Sequence, residues 1–148
     1  MSEKPRILIV DDDEAVTKTI SIMLEDAGCL VDTAKTGEEA VKKSETNFYN
    51  LALLDIRLPD MEGTELLTRM KETTPKGIKI IVTGYPSMEN AIEAVNKGAD
   101  GYIIKPVNME ELLAKVKEYL KKQEEEKRYS EGKVKEFIET RVKQLGPP

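Results

Sequence analysis

The sequence predicts an α/β fold: a five-stranded parallel sheet with helices on both faces and a helical extension at the C-terminus. Three observations predict it. Four short apolar runs, Ile7–Val10, Leu51–Leu54, Ile80–Val82 and Tyr102–Ile104, are continuous rather than alternating, as strands covered on both faces require. Between them lie segments whose apolar residues recur every three or four positions, the helical period. The two patterns alternate along the chain, which calls for crossover connections around a parallel sheet.

The elements follow in order. Ile7–Val10 is the first strand, and Val16, Ile20, Met23, Leu24 and Ala27 mark the helix after it, with Gly28 where that helix should stop. Leu30–Ala34 is a weaker second strand, read as an edge strand. It feeds a helix opened by the capping-box signature Thr36-Gly-Glu-Glu39 and carrying Ala40 and Val41 on its apolar face. Leu51–Leu54 precedes a helix with Leu66, Leu67 and Met70, and Ile80–Val82 one with Met88, Ala91, Ile92 and Val95 ending near Gly98. After Tyr102–Ile104, Asn108 starts the last helix. Beyond Leu120 the pattern loosens into a charged stretch interrupted by Gly132, read as a linker or a helix extension, then Val134, Phe137, Ile138, Val142 and Leu145 return to helical spacing as a terminal helix.

Composition bounds the function. A chain of 148 residues is long enough for one sizeable core and an appendage. Its net charge of -5 gives no basic footprint for nucleic acid, so no direct nucleic-acid binding is expected. No apolar run reaches membrane-spanning length, and with the single Cys29 read as a buried thiol the expected setting is reducing, soluble and cytoplasmic. Histidine is absent, which removes imidazole-based zinc sites, Ser-His and Cys-His nucleophile pairs, and any phosphohistidine carried by this chain.

In such sheets functional groups gather at the carboxyl ends of the strands. Strand one is followed there by Asp11, Asp12 and Asp13, strand three by Asp55, strand four by Thr83 and Gly84, and strand five by Lys105 and Pro106. Carboxylates brought together repel one another unless a cation sits between them, and an all-oxygen set favours Mg²⁺ (or Mn²⁺) over zinc. Two plainer readings stand beside this one. Asp11 to Glu14 serve equally as a helix cap, and Asp55 with Lys105 as a simple ion pair. The full set, with the Thr83 hydroxyl, also forms a cradle for a tetrahedral dianion attached to one carboxylate, with Asp55 as nucleophile.

Taken together, Ile7 to Asp12, Asp55 with Pro59 and Gly63, Ile80 to Gly84, and Gly101 to Pro106 resemble the complete pattern of the CheY-like receiver domains of two-component response regulators. The resemblance sets residues 1–122 as the receiver domain and leaves 123–148 as a charged linker and short amphipathic C-terminal helix. It implies a flavodoxin-like sheet of order 2-1-3-4-5, with Asp55 as the phosphoacceptor. It further implies Asp12, Asp55 and the Arg57 carbonyl as metal ligands, Asp11 as their support, and Thr83 and Lys105 as the grip on the phosphoryl oxygens. Asp13 matches no ligand position and is assigned to the helix start. The Lys105-Pro106 bond is expected to be cis.

The same resemblance implies a switch in which Thr83 moves toward the phosphoryl group and Tyr102 turns from exposed to buried, altering the face built from strands four and five and helices four and five. Tyr102 read on its own is an ordinary strand aromatic. The implied partners are a sensor histidine kinase or histidine phosphotransfer protein and an output partner the sequence does not name, with homodimer formation on phosphorylation. No enzymatic turnover is implied beyond the chain's own phosphorylation and dephosphorylation. Arg57 and Tyr85 flank the expected phosphoryl site, where their bulk would screen water. Gly84 stands where the family commonly has alanine.

Two other classes compete. Asp11 and Asp13 imitate the Asp-x-Asp start of haloacid-dehalogenase-type phosphohydrolases, a reading that leaves Asp55 unused. An interaction module that is never phosphorylated would leave the acids, Thr83 and Lys105 unexplained.

Overall fold

The computed structural model describes residues 4–73 and 76–145. Five strands, β1 (Arg6–Val10), β2 (Leu30–Ala34), β3 (Leu51–Asp55), β4 (Ile78–Thr83) and β5 (Gly101–Ile104), alternate with α1 (Glu14–Asp26), α2 (Gly37–Thr46), α3 (Gly63–Arg69), α4 (Met88–Asn96) and α5 (Met109–Leu145). The strands form one parallel sheet in the order β2-β1-β3-β4-β5, so both the α/β class and the strand order stand as expected.

The continuous apolar runs are explained by two cores. On one face Leu8, Val10, Leu54 and Ile81 meet Ala40 and Val41 of α2, Leu66 and Leu67 of α3 and Ala94 of α4. On the other, Ile7, Ile9, Leu51, Leu53 and Ile80 meet Ile20 and Leu24 of α1 and Leu112 and Val116 of α5. Successive residues of β1 and β3 point to opposite faces and find a core on both. Truncating one such leucine to alanine costs about 2–5 kcal/mol. β2 reads weakly because it lies at the sheet edge, with Leu30 exposed.

The helix signals act where they were read. Gly28 and Gly98 have φ of 93° and 98° and end α1 and α4; the amides of Cys29 and Ala99 then reach back to the carbonyls of Leu24 and Ala94 at 3.0 and 2.9 Å. Asn108 Oδ1 accepts from the Glu111 amide at 3.0 Å. The capping box is altered: Thr36 Oγ1 accepts from the Glu39 amide at 3.1 Å, but the Glu39 carboxylate takes the Lys35 amide, not that of Thr36.

Of the two readings of the charged stretch, linker or helix extension, the extension is what forms. Residues 123–145 continue α5, one helix of 37 residues and about 55 Å, so the charged linker and short terminal helix are a single rod. Lys, Glu and Arg are good helix formers, Glu124 pairs with Arg128 at 3.3 Å, and a glycine at 132 costs only about 1 kcal/mol, too little to break the run.

Candidate functional site

The parallel sheet ends its strands at one edge, and the chemistry collects there. Asp55 is the last residue of β3, lying beside Val82 of β4 and only 8% exposed. Asp11, one residue past β1, is also buried; Asp12 beside it is exposed. Each of Asp11, Asp12 and Asp55 can present a carboxylate oxygen within 4.8 Å of the other two. Asp13 is not part of this group. Its carboxylate caps α1, accepting from the amides of Ala15 and Val16, while its own amide donates to Asp11 Oδ1 at 2.9 Å.

Lys105 enters from the end of β5. Its amide donates to the Thr83 carbonyl at 2.7 Å, and the Lys105-Pro106 bond is cis, as expected. The ammonium lies 2.8 Å from Asp11 Oδ2 and 3.6 Å from Asp55 Oδ2. A simple Asp55–Lys105 pair is therefore not what forms; Asp11 is the tighter partner. Burial works against the charge on Lys105, but Asp11 and Asp55 outweigh it and raise its pKa.

Asp55 is left with a deficit of positive charge. Burial first, and then the Asp11 charge, push its carboxyl from an ordinary 3.8 up to about 6, against the smaller opposing pulls of Lys105 and the Arg57 amide. Asp11 and Asp55 share the Lys105 ammonium, Asp12 stands beside them, and all three offer oxygen donors. Such a site is able to hold a divalent cation, because a hard cation neutralises the surplus charge.

The loop after β3 is shaped to keep Asp55 in place. The Arg57 amide approaches Asp55 Oδ1 at 3.4 Å, and a turn through Pro59 closes with the Leu58 amide on the Met61 carbonyl at 3.1 Å. The Gly63 amide then bonds the Ile56 carbonyl at 2.8 Å. A side chain at Gly63 has no room: a Cβ there would stand 2.3 Å from the Asp55 carbonyl oxygen. Gly84 is different, since a Cβ there meets nothing nearer than the Lys105 side chain at 3.9 Å, so alanine fits equally well.

Sequence reasoning missed Asp60. Its carboxylate accepts from the amides of Gly37 and Glu38 at 2.8 and 2.9 Å, and these bonds hold its pKa down; the β3–α3 loop is thereby tied to the start of α2. A partner 22 residues away leaves no local signal.

Of the remaining candidates, Thr83 is fully buried, and its Oγ1 accepts from the Tyr85 amide at 2.9 Å. Tyr102 packs against the α2–α3–α4 side of the core, its hydroxyl buried and, among the described residues, without a hydrogen-bond partner. The Arg57 guanidinium stacks on the Tyr85 ring, 3.9 Å from its centroid, joining the loops after β3 and β4. These two residues had been read as separate flanks; they touch.

Residues 7–117 match the response regulator receiver domain, and the chain belongs to that family. It is therefore a receiver of two-component signalling, with the CheY-like fold. A receiver domain protein from Methanospirillum hungatei is 52% identical with a TM-score of 0.80, over 84% of this chain and 99% of that one. A response regulator from Burkholderia pseudomallei, solved with a phosphorylated aspartic acid, a calcium ion and citrate, is 28% identical with a TM-score of 0.72, over 86% of this chain and 75% of that one. The cell cycle response regulator CtrA of Brucella ovis is 33% identical over 111 residues, 75% of this chain. The chain spans about half the length of such curated relatives, 48% for CtrA. Among the described residues no helix is long and apolar enough to cross a membrane.

Proposed function

We propose that Asp55 accepts a phosphoryl group from the phosphohistidine of a sensor histidine kinase or histidine phosphotransfer protein. The supporting observation is a buried strand-end carboxylate crowded by Asp11 and Asp12 and approached by one ammonium, that of Lys105. Asp11, Asp12, Asp55 and the Arg57 carbonyl would hold Mg²⁺ (or Mn²⁺), which when bound neutralises carboxylate and phosphoryl oxygens. The Burkholderia relative's phosphorylated aspartic acid and calcium ion support this reading.

The chain's own residues do the rest. An Asp55 oxygen attacks phosphorus as the P–N bond to the partner's imidazole breaks, forming an acyl phosphate. No general base is needed, because a carboxyl with a pKa of about 6 is mostly ionised at neutral pH. Lys105 stands between Asp11 and Asp55 and turns toward the new dianion. The Thr83 hydroxyl, now facing the Tyr85 amide, donates to a phosphoryl oxygen, and Tyr102 responds to that movement. The unpartnered Tyr102 hydroxyl supports a residue held short of its best environment.

The β4–β5–α4–α5 face then binds the output partner, in the cytoplasm, and phosphorylation favours a homodimer. The receiver unit occupies residues 1–122, and the chain turns over no substrate but its own phosphate. The phosphohydrolase alternative needs Asp13 in the site, whereas Asp13 is spent as a helix cap.

Treating the protein with acetyl phosphate and Mg²⁺ and locating the label by mass spectrometry tests the assignment. One phosphoryl group on Asp55, absent from Asp55→Asn, is the expected result. A label on another residue, or sustained turnover of a phosphate monoester, overturns it.

A further inference from the structure

Among the described residues, two apolar surfaces of this chain have no partner within it. On α4, Met88, Ile92 and Val95 recur at i, i+4 and i+7 and are 77%, 53% and 69% exposed. On the distal part of α5, Val134, Phe137 and Ile138 are 58%, 65% and 55% exposed, and every described side chain from Glu124 to Arg141 faces solvent. The distal residues lie on the helix face that Leu112, Val116 and Gln123 bury against the domain, continued past the point where the domain ends. The rod extends about 33 Å beyond Gln123, and none of the described residues of its own domain covers residues 124–141.

Charge decides what covers these faces. Residues 133–143 carry Lys133, Lys135, Arg141 and Lys143 against Glu136 and Glu139, a net +2 on a chain of net -5, which leaves -7 elsewhere. The α4 stripe is bordered by Glu89 and Glu93, with Lys97 paired to Glu93 at 2.8 Å. Pairing α4 with α4 would set Glu89 and Glu93 near their own copies. Pairing two distal α5 segments in parallel would bury one turn or two of apolar contact between like charges, because Lys127 and Arg141 lie seven residues on either side of Val134 on the same face. The cross pairing joins apolar to apolar and the basic distal segment to the acidic border of α4.

We infer that the α4 face is covered by the distal α5 segment of a second copy of this chain, Val134, Phe137 and Ile138 seating against Met88, Ile92 and Val95. Two such contacts related by a two-fold axis close a dimer. The inference deepens the output-face reading above and rests on it for its link to signalling; the contact itself needs no phosphoryl group.

Sedimentation of the full chain over a concentration series, without a phosphodonor, tests it. Both Phe137→Glu and Ile92→Glu are at exposed positions, and unchanged circular dichroism spectra below the melting transition would show them folded. Wild type should dimerise, each variant should weaken association at least tenfold, and an equimolar mixture of the two should regain it, since one contributes an intact α4 face and the other an intact helix. A monomeric wild type overturns the inference. So does weakening by Phe137→Glu alone, which means helix pairs with helix, or by Ile92→Glu alone, which means face pairs with face. Failure of acetyl phosphate to label wild-type Asp55 in parallel would count against the receiver assignment only.

Discussion

The two ends of the sheet both bury polar side chains, neutral amides at one and charged groups at the other, and satisfy them differently. At the amino end, Asn50 and Gln123 form a closed network. Asn50 Oδ1 accepts from the Arg6 amide at 2.9 Å and its Nδ2 donates to Gln123 Oε1 at 3.1 Å, while Gln123 Nε2 donates to the carbonyls of Asn50 and Lys76 at 3.0 and 2.9 Å. At the carboxyl end, Asp11 and Asp55 share the Lys105 ammonium with Asp12 beside them, Asp55 is shifted toward its neutral form, and a buried tyrosine hydroxyl has no partner among the described residues. The amino end is satisfied and holds the fold. The carboxyl end stores unsatisfied charge that a cation and a phosphoryl group can relieve, so stability and function are separated along one strand direction.

The largest effect expected from perturbing this contrast is at the satisfied end. Gln123→Ala strands the Asn50 amide and one carbonyl in a buried site and should lower unfolding stability by about 1–3 kcal/mol. Urea denaturation measures it, and labelling of Asp55 should survive. A loss below a few tenths of a kcal/mol would show that water replaces the network at no cost.

The opposite sign is expected at the unsatisfied end. With its folded pKa raised from 3.8 to about 6, Asp55 binds a proton more tightly folded than unfolded. Its contribution therefore favours the metal-free fold most at low pH and is lost as pH climbs from about 4 to 6. Asp55→Asn should remove that slope and stabilise the metal-free protein at pH 7 by about 1–2 kcal/mol, after allowance for solvent screening. Melting curves from pH 4 to 7, with and without Mg²⁺, are the check. The gain should shrink in Mg²⁺, where the wild-type charge is useful.

The same contrast explains what was legible in the residues. β1 and β3 announced themselves because both faces of each are buried, and the strand-end positions of Asp11, Asp55, Thr83 and Lys105 followed from topology. Pairing at the ångström scale did not follow. Whether Lys105 leans on Asp11 or Asp55 turns on 2.8 against 3.6 Å, and the capture of α2 by Asp60 spans 22 residues. The distal part of α5 is open in the residues to two readings, linker or helix extension, because charge suits a solvated coil and a solvent-exposed helix alike; the extension is what forms.

The smallest effect concerns Arg57 and Tyr85, which stack on one another from the loops after β3 and β4. An exposed cation–π contact is worth about 0.5–1 kcal/mol, so a lid held by it should slow attack of water on the acyl phosphate by roughly two- to fivefold. If the two act as one clasp, Arg57→Ala and Tyr85→Ala should each shorten the phosphorylated lifetime as much as the double variant does, because either alone opens the lid. If each merely adds bulk, the two effects should multiply. Lifetimes of the acyl phosphate in all four proteins distinguish these outcomes, and an unchanged lifetime in the double variant would remove the lid altogether. A coupled result would mean that the strained end of the sheet protects its own product with a contact made only between its loops.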